Sequence, residues 1–184
     1  CSSVKLIDSD GNYIGSSNII HKKPSFANAL VESIAAGHTM VFNLSLIKIF
    51  TQIPPDRKVT SHDWMLYQLC TGFNGQVYCY PRPLVCYRQH STNVIGDGRS
   101  IHVFGKRLLF FFNGRFKTRL DANARLLEKF VGQFEASSQK TFFQSQRIRQ
   151  ANICLRLMVW RLPLKRQSYL ETWLVRVGVL FGLV

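Results

Sequence analysis

The sequence predicts an α/β domain followed by a basic, mainly helical region, and three observations carry that expectation. Short β-branched and apolar runs punctuated by Gly, Pro and Asp lie before residue 98, whereas apolar residues three or four apart dominate after it. No proline occurs between Pro83 and Pro163, so none interrupts a helix there. Charge divides at the same place: residues 1–98 hold 8 basic and 6 acidic side chains, residues 99–184 hold 16 and 4, and the total is +14. Two units, 1–98 and 99–184, are therefore expected, with 91–100 as the boundary because it is polar and carries Gly96 and Gly98.

The elements follow in order. Residues 4–7 and 12–14 flank Asp8-Ser9-Asp10-Gly11, which predicts a hairpin, with Gly11 at positive φ and Asp10 bonding its own backbone. Ser25 caps a helix over 26–33, and Gly37 precedes 39–43, which reads as a strand or a buried segment. Residues 44–50 have helical spacing before Pro54-Pro55. Ser61 caps a helix over 62–73, with Asp63 in its first turn and Gly75 as its stop. Two strands are expected at 76–80 and 84–87, separated by Pro81-Arg82-Pro83. Helices are expected over 103–113, 120–134, 138–160 and 169–184.

With 184 residues, 46% of them hydrophobic, the chain buries about two-thirds of its unfolded surface, which excludes disorder as its main state. The excess of cations points to an anionic partner: nucleic acid, a lipid headgroup or a phosphorylated substrate. Cys1, Cys70, Cys79, Cys86 and Cys154 are odd in number and lack zinc-site spacing, so reduced thiols are expected. No window reaches the roughly 18 uninterrupted apolar residues of a membrane span. Residues 174–184 come nearest but include Arg176, which leaves a surface-lying helix open. The absence of a leader pattern and the initial Cys read as a fragment or a trimmed product.

Three short strings could carry chemistry. In His62-Asp63-Trp64 a first-turn carboxylate beside a large aromatic has the makings of a general base with a sugar-stacking ring; it equally serves the helix dipole with Trp64 in the core. In Tyr87-Arg88-Gln89-His90, at a strand end, a guanidinium and an imidazole two residues apart suit a diphosphate and its cation, or simply a solvated strand end. Gly37 before Thr39 lets backbone approach a ligand and offers a hydroxyl, and a tight turn explains Gly37 as well. Asp8-Ser9-Asp10 spells a metal-binding D-x-D, but the flanking strands and Gly11 make it a turn, and no metal is assigned to it.

In their order and spacing these strings resemble the family-2 glycosyltransferases, in particular the rhamnosyltransferase-like group of cell-surface polysaccharide synthesis. The matching segments are Val4-Lys5-Leu6-Ile7-Asp8-Ser9-Asp10-Gly11, residues 37–43, Ser61-His62-Asp63-Trp64, Gly75-Gln76-Val77-Tyr78 and the run from Pro83 to Gly96, which includes Tyr87-Arg88-Gln89-His90. The resemblance implies the acceptor-side half of a GT-A sandwich that inverts the anomeric centre. It implies Asp63 as the base that deprotonates the acceptor, His62 and Trp64 as shapers of the acceptor site, and Gly37 and Thr39 as the floor beneath donor and acceptor. It further implies His90 as a ligand of Mg²⁺ or Mn²⁺ on the donor diphosphate and Arg88 as a phosphate partner. A nucleotide-sugar donor, a saccharide or lipid-linked acceptor and a cytoplasmic location, peripheral to the inner membrane face, go with it.

The family's nucleotide-binding half and its D-x-D precede the matching segment, and an aspartate usual in the family is Ser3 here. The isolated chain is therefore expected to be inactive. Residues 153–184, with Arg156 and Arg161 among large apolar side chains, suit an anionic membrane surface or a set of core helices. A competing reading is a non-catalytic nucleic-acid binder using the 16 basic residues after 98 with Phe110, Phe116 and Trp160, although no recognised nucleic-acid motif accompanies the charge. A third is a structural remnant without activity.

Overall fold

The computed structural model describes residues 1–17, 20–55, 57, 59–89 and 113–184. Within these the fold is mixed α/β, with seven α-helices and one three-stranded mixed sheet. The expected boundary at 91–100 and the expected helix over 103–113, apart from Asn113, lie outside the described residues.

β1 (Ser2–Ile7) and β2 (Tyr13–Ser16) form the expected hairpin, antiparallel with Leu6 opposite Gly15. Its turn is organised by Asp8 rather than Asp10. Asp8 Oδ1 accepts the backbone N–H groups of Asp10 at 2.9 Å and Asn12 at 2.8 Å, and Oδ2 accepts the Asn12 amide at 3.1 Å, while Gly11 takes a φ of 93°. The Asn12 backbone and side-chain donors hold the Asp8 carboxyl below the ordinary aspartate range. β3 (Tyr80–Arg88) pairs parallel to the other edge of β1, giving the order β2-β1-β3.

One strand thus replaces the two expected around Pro81-Arg82-Pro83. The ladder shifts register between Ser2 opposite Tyr80 and Val4 opposite Val85, so β3 accommodates its prolines, which cannot donate to a ladder, in the irregularity. Residues 76–79 form no strand.

α1 (Phe26–Ala29) is capped by Ser25, whose hydroxyl accepts the Asn28 N–H at 3.2 Å. It is shorter than expected, and beyond it Glu32 accepts the Gln167 N–H at 2.7 Å. A 3₁₀ turn at Gly37–Thr39 follows. Neither alternative expected over 39–43 holds for the whole run: these residues pair with no described strand, and although Thr39 is buried, 41–43 are exposed, Val41 at 93%. α2 (Leu44–Phe50) matches expectation and is capped by Asn43, whose side chain accepts the Leu46 N–H at 3.0 Å.

α3 (His62–Gly72) ends in a hydrogen-bonded left-handed cap. Asn74, at φ 59°, donates to the Thr71 carbonyl, and Gly75 donates to that of Cys70 at 2.7 Å. The helix stops before Gly75, as expected, and Asn74 supplies the left-handed residue.

The second half contributes α4 (Arg115–Leu127), α5 (Ala136–Gln150), α6 (Ile153–Arg156) and α7 (Tyr169–Leu180), with 3₁₀ turns at Val131–Gln133 and Leu157–Arg161. The helix expected over 138–160 breaks after Gln150, and Asn152 restarts it by accepting the Leu155 N–H at 3.2 Å.

A single apolar cluster joins both halves. Phe26, Leu30, Trp64, Met65 and Leu69 pack with Leu127, Phe134, Phe142, Val175 and Val179. Phe26 meets Phe134 edge-on at 5.3 Å, and Trp64 stacks over Phe116 at 6.4 Å. The division near residue 98 therefore does not separate two cores. All five cysteines are free, and burial pushes the Cys70 and Cys79 thiols up.

Candidate active site

The site begins where the parallel strands end. β1 and β3 run side by side to Ile7 and Arg88, and the Gln89 N–H donates to the Ile7 carbonyl at 2.8 Å. The carboxyl ends of parallel strands are where α/β folds place ligands. Tyr87, next to the end of β3, stacks on His38 with ring centroids 4.9 Å apart and planes inclined by 11°. His38 belongs to the 3₁₀ turn whose first residue is Gly37. A Cβ on Gly37 would stand 2.4 Å from His62 Nε2, closer than unbonded atoms approach.

Tyr87, His38, Gly37 and His62 therefore form a continuous set of contacts, and it carries the first turn of α3, with Asp63, to the end of the sheet. The imidazole of His62 occupies the space that a side chain at 37 would fill, so packing accounts for glycine there.

Asp63 is part-buried within that turn. Its Oδ1 accepts the Trp64 N–H at 2.8 Å and the Ser61 hydroxyl. Ser61 occupies the N-cap position yet donates to Asp63 instead of accepting a helix N–H, which corrects the expected Ser61 cap. One carboxylate oxygen is thus held in place, while Oδ2 takes no hydrogen bond among the described residues.

The other expected site residues fall into two groups. Gly37 and His62 touch at the site, and His62 is exposed. Trp64 is a core side chain: it is 5% exposed, and its Nε1 donates to the Ala29 carbonyl at 2.7 Å. Its ring faces Phe116 rather than an acceptor, because α3 packs this face inward, so its expected role as an acceptor-site residue is corrected. Thr39 is buried, and its hydroxyl donates to the Ala36 carbonyl at 2.9 Å, closing the turn. Arg88 is exposed and donates from Nη1 to the carbonyls of Asp8, at 3.3 Å, and Ser9, tying the end of β3 to the hairpin. His90 lies outside the described residues.

The residues that sequence reasoning missed are His38 and Tyr87. Both stand inside strings singled out for their neighbours, and their pairing joins positions 49 apart in the chain.

A cavity of about 590 Å³ is lined by the 40–43 segment and by residues of α2 and α3, mainly by apolar groups such as Met40, Leu46, Leu66 and Phe73. None of the expected site residues lines it, so this cavity and the polar cluster are separate features. Among the described residues no group of three His, Cys, Asp or Glu side chains gathers that would hold a metal ion. Arg88 is already engaged with backbone carbonyls. His90, the ligand that the resemblance implies for a divalent cation, lies outside the described residues. Comparison with protein-family models, curated proteins and solved structures finds no match.

Proposed function

We propose that this chain forms the acceptor side of an inverting sugar transferase of the family-2 glycosyltransferase kind, with a GT-A arrangement. The observation that carries the reading is the contact series Tyr87–His38–Gly37–His62, which brings the Asp63 turn to the carboxyl end of β3. Three strings that the resemblance assigns to one catalytic cleft are thereby neighbours in space.

Asp63 acts as the general base. Oδ1 is fixed by the Trp64 N–H and Ser61, which leaves Oδ2 to take the proton of an acceptor hydroxyl. The resulting oxygen nucleophile attacks the anomeric carbon, and the bond to the nucleoside diphosphate breaks with its electron pair on the leaving group. His62 packs against Gly37 and His38 stacks on Tyr87, so both imidazoles are fixed beside the turn that carries Asp63. Trp64 supports Asp63 from the core side by anchoring α3. The resemblance assigns the cation on the departing diphosphate to His90.

The assay is acceptor-dependent release of nucleoside diphosphate from a panel of nucleotide-sugars, using the natural protein that carries these residues. Release only when a saccharide or lipid-linked acceptor is present is the expected result. Folded protein without release on any donor–acceptor pair contradicts the reading.

A further inference from the structure

We propose that the outward face of α7, with the Leu157–Arg161 turn beside it, binds the surface of an anionic lipid bilayer; this goes beyond the sugar-transfer reading and does not rest on it. The inner face of these two elements is spent on the core, with Val159, Val175 and Val179 at 0–1% exposure. Their outer face is also apolar. Leu157 is 56% exposed, Trp160 44%, Leu170 53%, Trp173 52% and Phe181 64%. Positions 170, 173 and 181 share one helical stripe, so these side chains form a surface and not a scatter. An outward stripe of this kind gains nothing from water, and it marks the place where a partner removes it.

The cations choose the partner. The Arg176 guanidinium lies 5.4 Å over the Trp160 ring, Arg161 and Lys165 are exposed, and Arg156 packs beside Gly182 next to Phe181. The only acidic residue between 136 and 184 is Glu171, and it is bound to Arg166 at 3.2 Å. Tryptophans and aliphatic side chains bordered by Arg and Lys match the boundary between anionic headgroups and acyl chains. A second copy of this chain fits poorly. An isologous contact would set Arg161, Lys165 and Arg176 against their own symmetry mates, with Glu171, already bound to Arg166, as the only acidic side chain between 136 and 184.

α7 spans 12 residues, about 18 Å, and no helix among the described residues is long and apolar enough to cross a membrane, so the contact is with the surface.

The full 184-residue chain is mixed with vesicles of phosphatidylcholine alone, or of phosphatidylcholine with about one-third phosphatidylglycerol, and pelleted across a salt series. Binding is expected to the anionic vesicles, weakened by salt, with a blue shift of tryptophan emission. Leu170→Asp with Trp173→Asp should cut partitioning at least tenfold per residue, since each removes a side chain's worth of apolar burial. Because both positions are exposed, far-UV circular dichroism should be unchanged. Should that variant misfold, quenching of the unmodified protein's tryptophans by brominated lipid supplies the same test. No binding to anionic vesicles overturns the proposal. So does salt-sensitive binding of duplex DNA without vesicle binding, or concentration-dependent dimerisation that buries Trp160 and Trp173.

Discussion

Gly37 and His62 set the geometry of the candidate site at the scale of single residues. Adding a methyl group at 37 meets His62 Nε2 at 2.4 Å, the movable end of a side chain, so the imidazole should yield before the backbone does. Gly37→Ala is therefore expected to cost about 1 kcal/mol in the natural background and close to nothing once His62→Ala has cleared the space. Denaturant midpoints of the two single variants and the double variant measure that coupling; additive costs would mean that the two residues do not touch. Asp8 offers a pH test with a definite sign. Its folded-state pKa is depressed, so its support of the hairpin is present above the ordinary value of 3.8 and is lost as pH falls through the folded value. The amide signals of Asp10 and Asn12, which donate to that carboxylate, should report the same titration by NMR.

At the scale of elements, several starts and turns are legible because their partners are near in sequence. Ser25, Asn43 and the Asp8–Asn12 turn act over two to four residues, and the elements they start or close were foreseen. Residues 39–43 do not form a strand because a β-branched run becomes one only when a neighbouring strand receives it, and pattern alone does not reveal the neighbour. The join of 76–80 and 84–87 into a single irregular β3 likewise depends on β1, which tolerates the register shift. The end of α3 is a case in which a strong stop signal, Gly75, drew attention from the residue actually in left-handed geometry. Asn74→Gly should stabilise the fold by up to about 1 kcal/mol, because glycine adopts a φ of 59° without the cost of a Cβ. A fall in the thermal midpoint would show that the Asn74 side chain matters more than its backbone.

For the whole molecule, the shared core governs stability. Leu127 is fully buried among residues from both halves, so Leu127→Ala should lower unfolding free energy by about 2–5 kcal/mol. Far-UV circular dichroism and Trp64 burial should be lost in a single transition; two separated transitions would show that the halves fold independently. The juxtaposition at the candidate site is partly legible. Asp63, Gly37 and His62 follow from strings in the sequence, whereas the stacking of His38 on Tyr87 and the turning of Trp64 into the core are tertiary outcomes.

Everything proposed for catalysis converges on one proton acceptor, and the most direct test replaces it with its neutral isostere. Asp63→Asn should preserve folding and acceptor binding while lowering sugar transfer by the natural protein on the order of 10²–10⁴-fold, the usual contribution of a general base. Transfer at the unaltered rate by a correctly folded Asp63→Asn protein would contradict the account.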